Sequence, residues 1–391
     1  MSRWVGAGLS ILAICLLMPW LVLTAAAAER EEPDLGLWEE RMQEEWGGID
    51  RFLEGEAGDG GIGVSFAGLV KALASGEWEN AGEMVAAGLE QSLFQEISHG
   101  GRLAGELLAL GLIGAVFANF SQVFTGGQIS ETAFFMTYLL VFTVLASSFT
   151  DSMAIVGNVL SHQAEFMRVL VPCYFPVVAW AGGSASSIAW MEFLLLLIAA
   201  AQWMYLRVVL PLARVYILLV LAGNMVREDM LTRLTELLRS LVCWGSRSLL
   251  GLVLGFQLIQ GMVVPYADSL QMAGINRLLQ VIPGIGDGAG AVTKMVLGTG
   301  VLVKNSMGAA AVVVLVVLSA VPLLKLAILL ILYRSVAGLL QPVGDKRLVA
   351  CISSVADGQR LLLGLAASGL LLFVATIALV CLGTNGVYLG A

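Results

Sequence analysis

With 391 residues, 58% of them hydrophobic and only 13% charged, the chain cannot clothe a water-soluble surface, since ordinary domains carry roughly twice that charge. Its net charge of −8 is unevenly placed: residues 29–102 hold 17 Asp/Glu against 5 Lys/Arg, and the remainder is mildly basic. No basic stripe suited to nucleic acid occurs, and 2 histidines with 5 scattered cysteines exclude ordinary metal-ligand spacing.

In chain order, Arg3, the apolar stretch Val5–Leu23 and the small residues of "TAAAAE" read as an export signal over residues 1–28, either cleaved near Ala26–Ala28 or kept as an anchor. Residues 29–102 then form an acidic extracytoplasmic helical segment. Leu37, Met42, Trp46, Ile49, Phe52 and Leu53 recur within it at helical spacing, and a second amphipathic pattern starts at Phe66. The expected role is a small helical cap on the membrane exterior that offers a docking surface.

Residues 103–391 read as a polytopic membrane domain. A hydrocarbon core of ~30 Å needs about 20 apolar residues in helix. Six stretches meet this: 103–124, 132–156, 188–210, 248–265, 307–333 and 361–383. Shorter apolar segments at 169–181 and 291–303 extend the count to six to eight spans. The fold class is therefore all-α, a polytopic integral membrane helical bundle behind a signal sequence and a small extracytoplasmic segment.

Lys/Arg placement sets the orientation. With the acidic segment outside, Arg227, Arg233, Arg239 and Arg247 fall on the cytoplasmic side, as do Arg334, Lys346, Arg347 and Arg360. The C-terminus then ends outside. In "REDMLTRLTELLRSLVCWGSR", Leu231, Leu234, Leu238 and Leu241 share a face, which suits an amphipathic helix lying along the inner leaflet. "GIGDGA" (284–289) has the spacing of a dinucleotide fingerprint but follows no strand, and it reads as a hinge between helices.

Charges inside apolar spans are the candidate functional positions. Lys325 sits in "AVVVLVVLSAVPLLKLAILLILY", whose Val, Leu and Ile offset the ~2.5–3.5 kcal/mol insertion cost of one lysine. Pro322, three residues earlier, frees a carbonyl. Glu192 joins Lys325 as a bundle-facing or pore-facing candidate, whereas Glu106 and Arg207 read as snorkelling to headgroups. In "LLQPVGDKRLVAC", Pro342 and Gly344 stop a helix, and Lys346 and Arg347 hold a cytoplasmic turn. Topology leaves Gln341 and Asp345 unexplained, so both are candidates for a partner contact. The 45 glycines favour close helix packing and homo-oligomers or tight partner contacts. No nucleophile–base or metal pattern points to an enzyme, and no cofactor is expected.

From Ile282 to Leu382 the order and spacing of "IPGIGD", "LVKNSMG", "VPLLKLAILLILY" and "LLQPVGDKRLVAC" resemble the stage III sporulation protein AE family of endospore-forming bacteria. The signal-like start, acidic segment and earlier spans fit more loosely. Matching positions are Pro283, Gly286, Lys304, Asn305, Gly308, Pro322, Lys325, Tyr333, Gln341, Pro342, Gly344, Asp345 and Cys351. The Lys346–Arg347 pair is more basic than the family pattern. The resemblance implies a component of a secretion-like channel joining mother cell and forespore, seated in the mother-cell membrane around the forespore. Implied partners are ring-forming proteins and an ATPase of the same sporulation operon, and the implied outcome is forespore development with late forespore gene expression. The competing reading is a stand-alone secondary transporter for a small solute, with Glu192, Lys325 and broken helices as its site.

Overall fold

The computed structural model describes residues 47–53, 66–75, 105–113, 127–180, 186–223, 231–279, 286–342 and 344–383. The signal-like stretch 1–28, Pro283, most of the acidic segment and most of the expected span 103–124 lie outside these residues. The elements are α1 (Phe66–Ser75), α2 (Gly127–Trp180), α3 (Ser186–Met204), a π-helical turn (Tyr205–Val209), α4 (Leu210–Gly223), α5 (Thr232–Leu279), α6 (Gly286–Leu340) and α7 (Lys346–Gly383). Residues 47–53 and 105–113 are helical too, and no strand occurs among the described residues.

Five stretches among the described residues are long and apolar enough to cross a membrane: Phe135–Val178, Met191–Gly223, Thr232–Ile259, Gly300–Leu340 and Lys346–Cys381. This is a multi-pass membrane protein. The apolar segments 132–156 and 169–180 share the single helix α2, and 291–303 continues into 307–333 within α6. Hydropathy separates these segments only because polar residues interrupt the apolar runs; the backbone continues through them. At 1.5 Å per residue, α2 and α6 are each ~80 Å long, well beyond a hydrocarbon core.

Helix-breaking residues are absorbed in the same way. Pro172 and Pro176 lie inside α2, and Pro322 lies inside α6. Pro211 has no N–H, and its ring crowds the carbonyl four residues back. Just ahead of it the backbone widens, with the Leu210 N–H donating to the Tyr205 carbonyl five residues back. The helix therefore runs on to Gly223 rather than stopping at 210. From Gly286 the glycine-rich run expected as a hinge is already the first turn of α6; membrane helices tolerate glycine. The amphipathic stretch after Leu231 is the coaxial start of α5, not a separate helix along the leaflet. Its Leu234, Leu237, Leu241 and Trp244 face outward.

Named contacts fix the bundle's register. Antiparallel α6 and α7 meet where Gln359 approaches the Leu326 carbonyl and, farther from their turn, where Lys304 approaches the Cys381 carbonyl. Helix α2 runs antiparallel to α6 through Ser148–Tyr333 and Gln163–Ser319. It also runs antiparallel to α3–α4 through Tyr138–Leu221 and Arg168–Gln202. Helix α5 lies against both α3 (Phe193–Phe256 rings at 4.6 Å) and α7 (Gln257–Thr376). The end of α4 at Gly223 and the end of α6 at Leu340 consequently lie at one end of the bundle, and with them Arg233, Arg239, Arg334, Lys346 and Arg347.

Two described pieces of the acidic segment are built into the bundle. Ile49, Phe66, Leu69 and Val70 are buried in the common core, and the Phe52 ring sits 6.3 Å from that of Phe166 on α2. The Phe66 N–H, an orphan donor at the start of α1, donates to Asp50 Oδ1 at 2.6 Å. Glycines admit the closest helix contacts. A methyl at Gly369 of α7 would overlap Leu160 Cδ2 on α2 and stand 2.9 Å from Gln163 Oε1, whereas one at Gly364 meets open space.

Gly369→Ala should therefore lower the stability of the detergent-purified protein by about 1–3 kcal/mol through overpacking. Gly364→Ala should leave it unchanged or raise it by up to ~1 kcal/mol through helix propensity. Thermal unfolding followed by tryptophan fluorescence checks the pair; equal losses in both variants would contradict the α2–α7 packing.

Candidate functional site

The singled-out positions fall at different heights of the bundle. At the end away from the basic turns, Lys304 of α6 is fully buried. Its Nζ donates to the Cys381 carbonyl at 3.4 Å. Cys381 belongs to the last turn of α7, where carbonyls lack intrahelical donors and the helix dipole is negative, so a cation suits the position. The Tyr174 hydroxyl of α2 and Cys381 Sγ are hydrogen-bonded at 2.9 Å. Gly308 lies against this pair: a methyl there would overlap Cys381 Sγ and stand 3.3 Å from the Tyr174 hydroxyl. "LVKNSMG" thus presents Lys304 and Gly308 on one helical face, at i and i+4, to the seam between α2, α6 and α7. Asn305 is half-buried, and its Oδ1 finds no hydrogen-bond partner.

Nearer the middle, Pro322 deprives the Leu318 carbonyl of its helical donor, and Lys325 is half-buried. Gln359 Nε2 approaches the Leu326 carbonyl at 3.5 Å, while Gln359 Oε1 is buried without a partner. Tyr333 is buried and shares a 2.5 Å hydrogen bond with Ser148. Arg334 and Asp357 pair at 3.8 Å with side chains about half exposed. Cys351 is buried near the start of α7.

At the basic end, "QPVGD" joins α6 to α7. The Gly344 N–H donates to the Leu340 carbonyl at 2.6 Å, and a Cβ at Gly344 would stand only 2.8 Å from that oxygen. Glycine fits this approach because it has no Cβ. Asp345 Oδ1 accepts the Arg347 N–H at 2.8 Å, and the Asp345 carbonyl accepts the first α7 bond, from the Val349 N–H at 3.1 Å. Asp345 is therefore the N-cap of α7, a role the sequence reading left open. Gln341 and Pro342 are exposed.

The structure does not bring Glu192 and Lys325 together. Glu192 is exposed on α3 beside Phe193, which stacks on Phe256, next to the Gln257–Thr376 contact. Lys325 sits beside Leu326, at the height of Gln359. Residues 359 and 376 of α7 are 17 positions apart, which is ~25 Å along the axis. Glu106, Arg207 and Arg214 are all exposed.

Sequence reasoning passed over the polar contacts that cross the interior. Gln163 Nε2 donates to Ser319 Oγ at 2.8 Å, and Gln257 Nε2 donates to Thr376 Oγ1 at 2.8 Å. The Tyr205 and Ser368 hydroxyls meet at 3.1 Å. A lone Gln, Ser or Thr in an apolar span was the available signal, since such a group is costly to bury unpaired. Chemically these groups exchange hydrogen bonds between helices and so lock one helix to the next.

The chain resembles known proteins over most of its length. The family described as stage III sporulation protein AE matches residues 64–384. Stage III sporulation protein AE of Bacillus subtilis (strain 168) is 23% identical over 330 residues, covering 84% of this chain and 80% of that protein. No solved structure matches.

Capping by Asp345 has a direct test. Asp345→Ala should cost about 1 kcal/mol in thermal unfolding of the purified protein, and Asp345→Asn only a fraction of that, because Asn caps nearly as well. Equal losses would show that the carboxylate serves something other than the cap.

Proposed function

The chain belongs to the stage III sporulation protein AE family, and from that membership we propose that it is an integral membrane component of a secretion-like channel between mother cell and forespore. The observation that favours this over a stand-alone small-solute transporter is the ~25 Å separation of Glu192 from Lys325. A compact substrate site would need these charges to converge, whereas here buried polar groups are spent on bonds between helices.

In this reading the protein lies in the mother-cell membrane around the forespore, with its basic turns in the mother-cell cytoplasm. The N-terminal segment and the C-terminus face the space between the two membranes. Ring-forming proteins and the ATPase of the same sporulation operon are its partners, and late forespore gene expression depends on the assembly. Its own role is non-enzymatic and needs no cofactor. The exposed Gln341 and Pro342 beside Lys346 offer a cytoplasmic contact for another channel component.

Affinity-tagged protein, gently solubilised from sporulating cells and analysed by mass spectrometry, should bring down the ring proteins and the ATPase. Recovery alone from correctly inserted material would contradict the channel role and favour the transporter, testable by solute uptake in liposomes. The Gln341→Ala/Pro342→Ala double variant should lose at least one cytoplasmic partner at unchanged membrane abundance. Full retention of every partner would remove that turn from the contact.

A further inference from the structure

We propose that the outward face of α2 between Ala154 and Pro172 pairs with the same face of a second copy of this chain. The exposed residues change character along α2. Near its start Phe135, Met136, Leu139 and Leu140 point outward. Farther along, the outward residues are Ala154, Asn158, Glu165, Arg168 and Pro172, with no large apolar side chain among them. Pro172 has no N–H, so the Arg168 carbonyl on the same side loses its helical donor as well.

On the neighbouring helices large apolar side chains are exposed at this height, beside the exposed Glu192 and Arg207. Arg168 hydrogen-bonds Gln202 of α3 at 2.6 Å, and the next residue, Trp203, is exposed, as are Leu196 on the same helix and Leu252 and Phe256 on α5. Those surfaces suit hydrocarbon. Glu and Arg turned toward hydrocarbon are costly, so the α2 face, whose exposed residues include no large apolar side chain, meets something polar.

Spacing identifies that partner as a helix. Ala154, Ser161 and Arg168 recur every seven residues, and Asn158, Glu165 and Pro172 follow each of them by four. This is the two-position seam of a coiled coil, and at Ala154 and Ser161 small residues let backbones approach closely. From 154 to 172 the seam is ~27 Å long, close to the hydrocarbon thickness.

Charge makes a second copy the fitting helix. About a two-fold axis along the membrane normal, the two α2 helices run parallel and identical residues share a height. Glu165 of one copy is then offset by only ~4.5 Å along the axis from Arg168 of the other, an offset these two long side chains can bridge across the seam, and the contact occurs twice. Asn158 meets Asn158, and each amide both donates and accepts. Glu165 and Arg168 also face their own copies, but there the opposite charges alternate and offset one another; Asp151, one turn below Ala154, would oppose its own copy with no Lys or Arg within a turn of it, and that repulsion ends the seam. The pairing concerns self-association and does not depend on which other proteins join the assembly.

The test is oxidative cross-linking in native membranes of the full chain with its 5 cysteines replaced by alanine and one new cysteine added. Ala154→Cys and Ser161→Cys should each give a disulfide-linked dimer, and Leu252→Cys on the apolar face of α5 should give none. Glu165→Arg in the Ser161→Cys background should abolish the dimer, and adding Arg168→Glu should restore it. With native cysteines kept, Glu165→Arg should halve the protein mass measured by light scattering in detergent, and the double swap should return it. Immunoblotted membrane abundance separates lost pairing from lost folding. Equal cross-linking at 154, 161 and 252, or an adduct to a different protein in place of the dimer, overturns the proposal.

Discussion

Helices surrounded by lipid gain little from apolar contact with one another, because the hydrocarbon they leave is as apolar as the side chains they meet. The register of five ~40–80 Å helices must therefore come from directional or steric contacts. In this bundle those contacts concentrate where α2, α6 and α7 meet. Ser148–Tyr333, Gln163–Ser319 and Tyr174–Cys381–Lys304 cross the seams at successive heights. Glycines 308 and 369 stand where any side chain would collide with the neighbouring helix. Polar contacts set the heights and glycines set the separations.

That division shapes where function can reside. Buried Gln, Ser, Thr and Lys groups are largely committed to neighbouring helices, and even the cation Lys304 caps the carbonyl end of α7. What remains available is on the outside: the exposed Gln341–Pro342 turn at the basic end and the polar outward face of α2. A protein built this way suits assembly with other proteins better than capture of a solute inside itself. The described parts of the acidic segment strengthen the same picture, since Ile49, Phe66 and Leu69 join the core instead of resting loosely on it.

Much of this was legible in the sequence, for identifiable reasons. Hydropathy marks lipid-exposed length, so five of the apolar stretches fall on membrane-length helices. Pro342, Gly344 and the basic pair marked a turn, because those residues act locally. Continuity was not legible. Asp151, His162, Glu165 and Arg168 break the apolar run of α2 without breaking its backbone, and Pro211 is accommodated by a π-helical turn that no local pattern announces. Gln163 and Ser319 are 156 residues apart, and each alone is an unremarkable polar residue. Only the fold makes them partners. Asp345 escaped for a simpler reason: its capping bond spans two residues, but a charged turn among cytoplasmic charges looked equally like a contact surface.

The central claim is that polar contacts across α2, α6 and α7 hold the register, and a double-mutant cycle on Gln163 and Ser319 tests it most directly. Gln163→Leu, Ser319→Ala and the double variant would be compared by reversible unfolding in detergent micelles. A real inter-helix bond predicts non-additive losses, with a coupling of ~0.6 kcal/mol and up to ~1.7 kcal/mol, the range found for such pairs in membranes. Strict additivity would mean that the two side chains do not meet, and the register of α2 against α6 would have to be redrawn.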